Sequence, residues 1–129
     1  MDHVIDSGRI VYDIKRAMCA APDVCAKHAI DYGYVIQWAS YTSGLAKLHP
    51  ELAGRIDFVF VFIETEPPYC VTPLRPDGEM RQIGTVQWER AVMRWEECLR
   101  QNNWPKYVQQ IEDMHAPAWA LARELGSAA

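Results

Sequence analysis

No stretch of this chain is long enough to cross a bilayer as a helix. The longest apolar run, Phe58 to Ile63, has six residues, against the about 20 that a membrane-spanning helix needs. Cysteine is sparse: Cys19, Cys25, Cys70 and Cys98 form no CxxC pair, and such scattered spacings argue against a four-thiolate metal cluster. With no signal peptide ahead of them, the four read as reduced thiols, mostly in the core, of a cytoplasmic protein. An excess of positive charge is also missing. The formal net charge is -4, so any nucleic-acid-binding surface has to be local. There is no Ser/His/Asp or Cys/His set, no phosphate-cradling glycine loop and no dinucleotide fingerprint. His28, His49 and His115 lack metal-ligand spacing and read as surface or packing residues. No internal repeat, low-complexity tract or linker interrupts the chain.

What remains is a chain of 129 residues, half of them hydrophobic and 23% charged. That suits one domain, 1–129, with room for a sizeable core. "MDHVIDSGRIVYDIK" reads as two short strands around the turn-forming pair Ser7-Gly8. A helix is predicted to open at Pro22-Asp23, bury Val24, Cys25, His28, Ala29 and Tyr32, and stop at Gly33. Apolar residues at Tyr34, Trp38, Tyr41, Leu45 and Leu48 follow at helical spacing, with Ser43-Gly44 as an early end point. Phe58 to Ile63 has no polar alternation and reads as a central strand covered on both faces. "YCVTPLR" is a shorter strand, near an edge because of Pro73. "TVQWERAVMRWEECLRQ" is an amphipathic helix with Trp88, Ala91, Val92, Trp95, Cys98 and Leu99 on one stripe. Trp104-Pro105 breaks it, and a last helix runs from near Pro117 to Gly126. The tryptophans Trp38, Trp88 and Trp95 fit core stripes better than base-stacking platforms. Strand, strand, helix, helix, strand, strand, helix, helix is an α/β domain.

The first fifteen residues carry more charge than a sheet usually holds. In a two-residue hairpin loop Asp6 faces Arg9, Ile5 faces Ile10 and Asp2 lands opposite Asp13, while Val11, Asp13 and Lys15 share one face. Two carboxylates directly across a ladder sit about 5 Å apart and repel. A divalent cation explains the arrangement: Mg²⁺ takes oxygen ligands, typically one or two carboxylates plus substrate phosphates. Lys15, on the same face, then stabilises charge on phosphate or orients a metal-bound water. The plainer reading is a surface hairpin with solvated charges and an ion pair of little worth. Glu64 and Glu66 flank a strand end, and "EPPY" reads as a structural turn.

Asp2 with Asp13-Ile14-Lys15 resembles the split Asp … Asp-x-Lys motif of the PD-(D/E)xK nuclease superfamily, and Gln37 and Tyr41 match the Gln-xxx-Tyr helix motif of its RecB-like branch. "DYGYVIQWASYTSG", "FVFVFIETEPPY", "ECLRQNNWP" and "APAWA" are similar, in the same order, to the exodeoxyribonuclease VIII (RecE-type) nuclease domain, to about Leu125.

The resemblance implies an α/β, restriction-endonuclease-like core with a mixed sheet flanked by helices. It implies a metal-dependent exonuclease acting on duplex DNA ends in the 5′-to-3′ direction, in phage or prophage recombination, and a homo-oligomer. Carried over, Asp2 and Asp13 are ligands to Mg²⁺ (or Mn²⁺), and Lys15 is the catalytic lysine. Gln37 and Tyr41, four apart on one helix face, reach the same site or the DNA backbone; without the family, Tyr41 reads as core. Two features depart from the family's pattern. The segment before the first aspartate, with its metal-binding histidine, is absent, and alternation points His3 away from Asp2. Arg16 stands where the family tends to have threonine, either on a phosphate or as a solvated charge. The competing expectations are a truncated remnant, catalytically weak or inactive, that binds DNA or a partner, and an intact protein whose start lies upstream of Met1.

Overall fold

A computed structural model describes residues 3–5, 9–108 and 110–126. Asp2, Asp6 and the Ser7-Gly8 turn lie outside the described residues. The chain forms two compact units, Met1–Glu96 and Glu97–Ala129.

The first unit is built on a four-stranded mixed sheet in the order β1-β2-β3-β4. Strand β1 (His3–Ile5) pairs antiparallel with β2 (Ile10–Ala17), His3 opposite Tyr12 and Ile5 opposite Ile10. This is the register that alternation about the turn predicts. Strand β3 (Asp57–Glu64) runs parallel to β2, and β4 (Val71–Leu74) returns antiparallel on the outer edge. A parallel pair needs a long crossover, and α1 (Pro22–Asp31) and α2 (Tyr34–Leu48) supply it. The α/β class and mixed sheet expected from the sequence are observed. Pro73 sits on β4 opposite Val61, where a missing N–H leaves an edge rather than a ladder short of a donor.

The parallel register sets Val11, Asp13 and Lys15 beside Phe58, Phe60 and Phe62. These six share one face of the sheet, since side chains alternate along a strand and partners point the same way. Val11, Asp13 and all three phenylalanines are buried. Tyr34, Trp38, Tyr41 and Leu45 of α2 pack against this core. On the opposite face Val59 is buried, but Ile14 is 51% exposed and Val61 and Ile63 are half-buried. Two-sided cover of β3 is thus realised at Val59 and thins beyond it.

Helix α1 opens at Pro22 with Asp23 in its first turn, as expected, and buries Cys25 and Ala29. Tyr32, assigned to that buried side, is 65% exposed. Gly33, at φ 70°, takes the left-handed conformation that separates α1 from α2, a geometry glycine adopts without steric cost. Helix α2 does not stop at Ser43-Gly44. A glycine inside a helix costs about 1 kcal/mol, and the packing of Leu45 on the core overrides it.

Helix α3 (Gly78–Gln101) begins seven residues before the predicted Thr85. Asp77 is its cap: its Oδ1 accepts from the Met80 N–H at 2.8 Å, which satisfies one of the orphan donors of the first turn. The predicted stripe is only partly buried. Trp88 and Val92 are half-buried, whereas Ala91 is exposed and Trp95 is 56% exposed. Gly84 is buried instead, and a Cβ there would lie 2.3 Å from the Val35 carbonyl oxygen. Trp38 and Trp88 line a groove of about 670 Å³ between α2 and α3, together with Thr42, Ile56, Arg81 and Met93.

In the second unit the end of α3 carries a buried Cys98 and an exposed Leu99. Helix α4 (Ala118–Leu125) follows Pro117 and ends at Gly126, as read from the sequence, and none of its residues is buried. The four cysteines are free thiols, Cys25 and Cys98 buried but Cys19 and Cys70 exposed. Half of them are therefore not core. Among the described residues, no helix is long and apolar enough to cross a membrane.

Candidate active site at Asp13, Lys15 and Gln37

The polar residues of β2 meet the first turn of α2 on the covered face of the sheet. Asp13 is 1% exposed, a position that a carboxylate rarely occupies without partners. Gln37 Nε2 donates to Asp13 Oδ1 at 2.9 Å. Lys15 Nζ donates to Gln37 Oε1 at 2.6 Å and lies 2.5 Å from Asp13 Oδ2. The three side chains close a ring in which each touches the other two. Strand alternation brings Asp13 and Lys15 to one side, and α2 brings Gln37 to them across 22 and 24 residues of sequence.

Aromatic rings close the floor of the ring of polar groups. Lys15 Nζ sits 4.2 Å from the centroid of Tyr34 and 5.8 Å from that of Phe60. Tyr34 precedes Gln37 by three residues, so both project from the same side of α2. The Lys15 side chain is 13% exposed, so the ion pair is largely but not wholly closed off from solvent.

The five residues singled out in the sequence fall in three places. Asp13, Lys15 and Gln37 come together. Tyr41, one turn beyond Gln37, stacks at a tilt on Phe58 with 6.4 Å between ring centroids and packs against the core. Asp2 lies outside the described residues. Tyr34 was read only as an apolar helix position; its spacing of three from Gln37 is the signal that ties it to the site.

Glu64 is held elsewhere. Its Oε1 accepts from the Ala20 N–H at 2.9 Å and its Oε2 from the Cys70 N–H at 3.0 Å. These two backbone hydrogen bonds, Ala20 first, hold the carboxyl below its ordinary range. Glu64 thus braces the turn after β3 against the loop after β2. In that turn Tyr69 adopts φ 58° and donates its N–H to Glu66 O at 2.9 Å. The Glu64 carboxylate is structural here, and "EPPY" forms a turn closed through the Glu66 backbone carbonyl.

Among the described residues, no three His, Cys, Asp or Glu side chains come close enough to hold a metal ion. The donors at the site do fit a hard cation in kind. Asp13 offers carboxylate oxygens and Gln37 an amide oxygen, and Mg²⁺ takes oxygen ligands while keeping several waters of its own.

Compared with known proteins, the chain matches no family model and no curated protein.

Proposed function

We propose that the chain is a metal-dependent nuclease domain with a restriction-endonuclease-like core, related to the exodeoxyribonuclease VIII (RecE) type, hydrolysing phosphodiester bonds at duplex DNA ends. The observation that carries this reading is the convergence of Asp13, Lys15 and Gln37 at hydrogen-bond distance, two from β2 and one from α2. These three are among the five residues of the motifs that the sequence resembles, Asp13 and Lys15 from the strand motif and Gln37 from the helix motif. Duplex DNA is then the partner, the cytoplasm the setting, phage or prophage recombination the role, and a homo-oligomer the assembly.

In this reading Asp13 and Asp2 hold Mg²⁺ or Mn²⁺, with Gln37 Oε1 as a further oxygen. Such an ion, when bound, would supply Lewis-acid stabilisation of the phosphate and acidification of the attacking water. The chain's own groups do the rest. Lys15 turns its ammonium from Asp13 to a phosphate oxygen, where a positioned cation stabilises developing negative charge. Gln37 holds the Asp13 carboxylate in orientation through its Nε2. Tyr34 and Phe60 keep water from the inner side of the ammonium.

A second reading has one observation in its favour. Lys15 and Asp13 are closed on each other at 2.5 Å, as suits a chain that keeps the fold and binds DNA or a partner without turnover. One experiment separates the two. End-labelled linear duplex DNA is incubated with the chain and Mg²⁺, beside Asp13→Asn and Lys15→Ala variants checked for folding by circular dichroism. Metal-dependent release of nucleotides that both substitutions abolish supports the nuclease. In parallel, Mg²⁺ should raise the melting temperature of the wild type by mass action and not that of Asp13→Asn. Equal stabilisation of the two, with no digestion by either, would remove the metal site and the nuclease together.

A further inference from the structure

We infer that Tyr34 is a positioning residue for Lys15, holding the ammonium by the face of its ring. An ammonium has three N–H donors and no acceptor. On two sides of Lys15 Nζ lie Gln37 Oε1, which accepts a hydrogen bond at 2.6 Å, and Asp13 Oδ2, an ion-pair contact at 2.5 Å. The third side is closed by Tyr34, whose centroid is 4.2 Å away, well inside the about 6 Å over which a ring face attracts a cation.

The ring is itself fixed from behind. Tyr34 packs against Phe60 and Phe62, with centroids 6.1 and 6.3 Å apart, and both phenylalanines are buried. Its backbone is fixed by the left-handed Gly33 that starts α2. Ring, helix start and β3 therefore form one rigid support, and the flexible four-carbon stem of lysine is the part that needs it. Such support holds a catalytic group within a fraction of an ångström of its working position. When Lys15 leaves Asp13 for a phosphate, the ring face stays in place and keeps the ammonium from swinging into solvent. Its bearing on catalysis rests on the nuclease reading; the positioning itself does not.

The test keeps the shape of the ring and changes its electrostatics. Tyr34→Phe retains an electron-rich face, and phenylalanines bearing successively more fluorine, introduced at position 34, drain it. Two quantities are read. The first, with no DNA present, is the NMR shift of the Lys15 ε-methylene protons and the range over which it varies with temperature. The second is the rate of Mg²⁺-dependent digestion. Tyr34→Phe is expected to behave as the wild type. The fluorinated series should release the Lys15 resonance stepwise toward the value of a solvated lysine. The digestion rate should fall with it by about tenfold across the series, the scale of a partly desolvated cation–π contact. A Lys15 resonance indifferent to fluorination overturns the inference. If no variant, wild type included, digests DNA, the nuclease reading fails while the resonance still decides the role of Tyr34.

Discussion

Replacing Lys15 by methionine removes the ammonium and keeps most of the apolar stem. The Asp13 carboxylate, 1% exposed, then loses its ion pair at 2.5 Å and retains the hydrogen bond from Gln37 Nε2 at 2.9 Å. Removing one partner of a buried pair costs about 3–5 kcal/mol, because the other charge stays behind in a low dielectric. The Lys15 side chain is 13% exposed, so water reaches the vacated place and the lower end, about 3 kcal/mol, applies. For a unit of this size each kcal/mol moves the melting temperature by about 4–8 °C, giving a fall of about 12–24 °C. Asp13→Asn in the same background removes the stranded charge while leaving an oxygen for Gln37. The double variant should recover about 2 kcal/mol relative to Lys15→Met alone. Urea and thermal unfolding of the wild type, both single variants and the double variant, at neutral pH, give the coupling directly. A Lys15→Met variant within about 0.5 kcal/mol of the wild type would show that the pair is not desolvated. Strict additivity of the two substitutions would show the same. The cycle is also the control for chemistry, since lost digestion in a Lys15 variant counts only where the protein is still folded.

Gly84→Ala should destabilise by about 1–3 kcal/mol in urea unfolding, as overpacking does, because its Cβ would fall 2.3 Å from the oxygen and 2.8 Å from the carbon of the Val35 carbonyl; a variant stabilised by the better helix propensity of alanine would refute that close approach. Glu64, held below its ordinary 4.5 by backbone donors, contributes stability that is present above its unfolded pKa and lost as pH falls through the folded value. The melting-temperature gap between wild type and Glu64→Gln should therefore be open at neutral pH and close in acid, and a gap that does not change with pH would refute the assignment. Tyr41→Phe keeps the ring contact with Phe58 and should leave both stability and digestion nearly unchanged; an inactive but well-folded variant would move Tyr41 from the core to the site.

The hairpin register was legible because alternation and a two-residue turn leave few ways to pair Ile5 with Ile10. The face shared by Val11, Asp13 and Lys15 follows from the same period of two. What that face meets was not legible. Setting Asp13 beside Phe60 depends on the parallel register of β2 and β3, between strands more than forty residues apart, and no local pattern specifies it. Gln37 entered through resemblance alone. Tyr34 was visible as an apolar helix position, but its second role depends on where an ammonium sits, which helical spacing does not encode.

The misread start of α3 has a local cause. Pro76-Asp77-Gly78 has the composition of a turn, and the same aspartate is a good helix cap. Only the Met80 N–H that it accepts tells the two apart. The stripe on α3 went wrong for a more general reason. Periodicity says which residues share a side of a helix, not which side is pressed against a neighbour. A search for large apolar residues ranks Trp95 high, although it is 56% exposed, and passes over Gly84. Yet α3 also meets α2 where a side chain is missing, at Gly84, where an added Cβ would lie 2.3 Å from the Val35 carbonyl oxygen. The residue that sets the seat of this helix is thus one that hydrophobic patterning gives no weight.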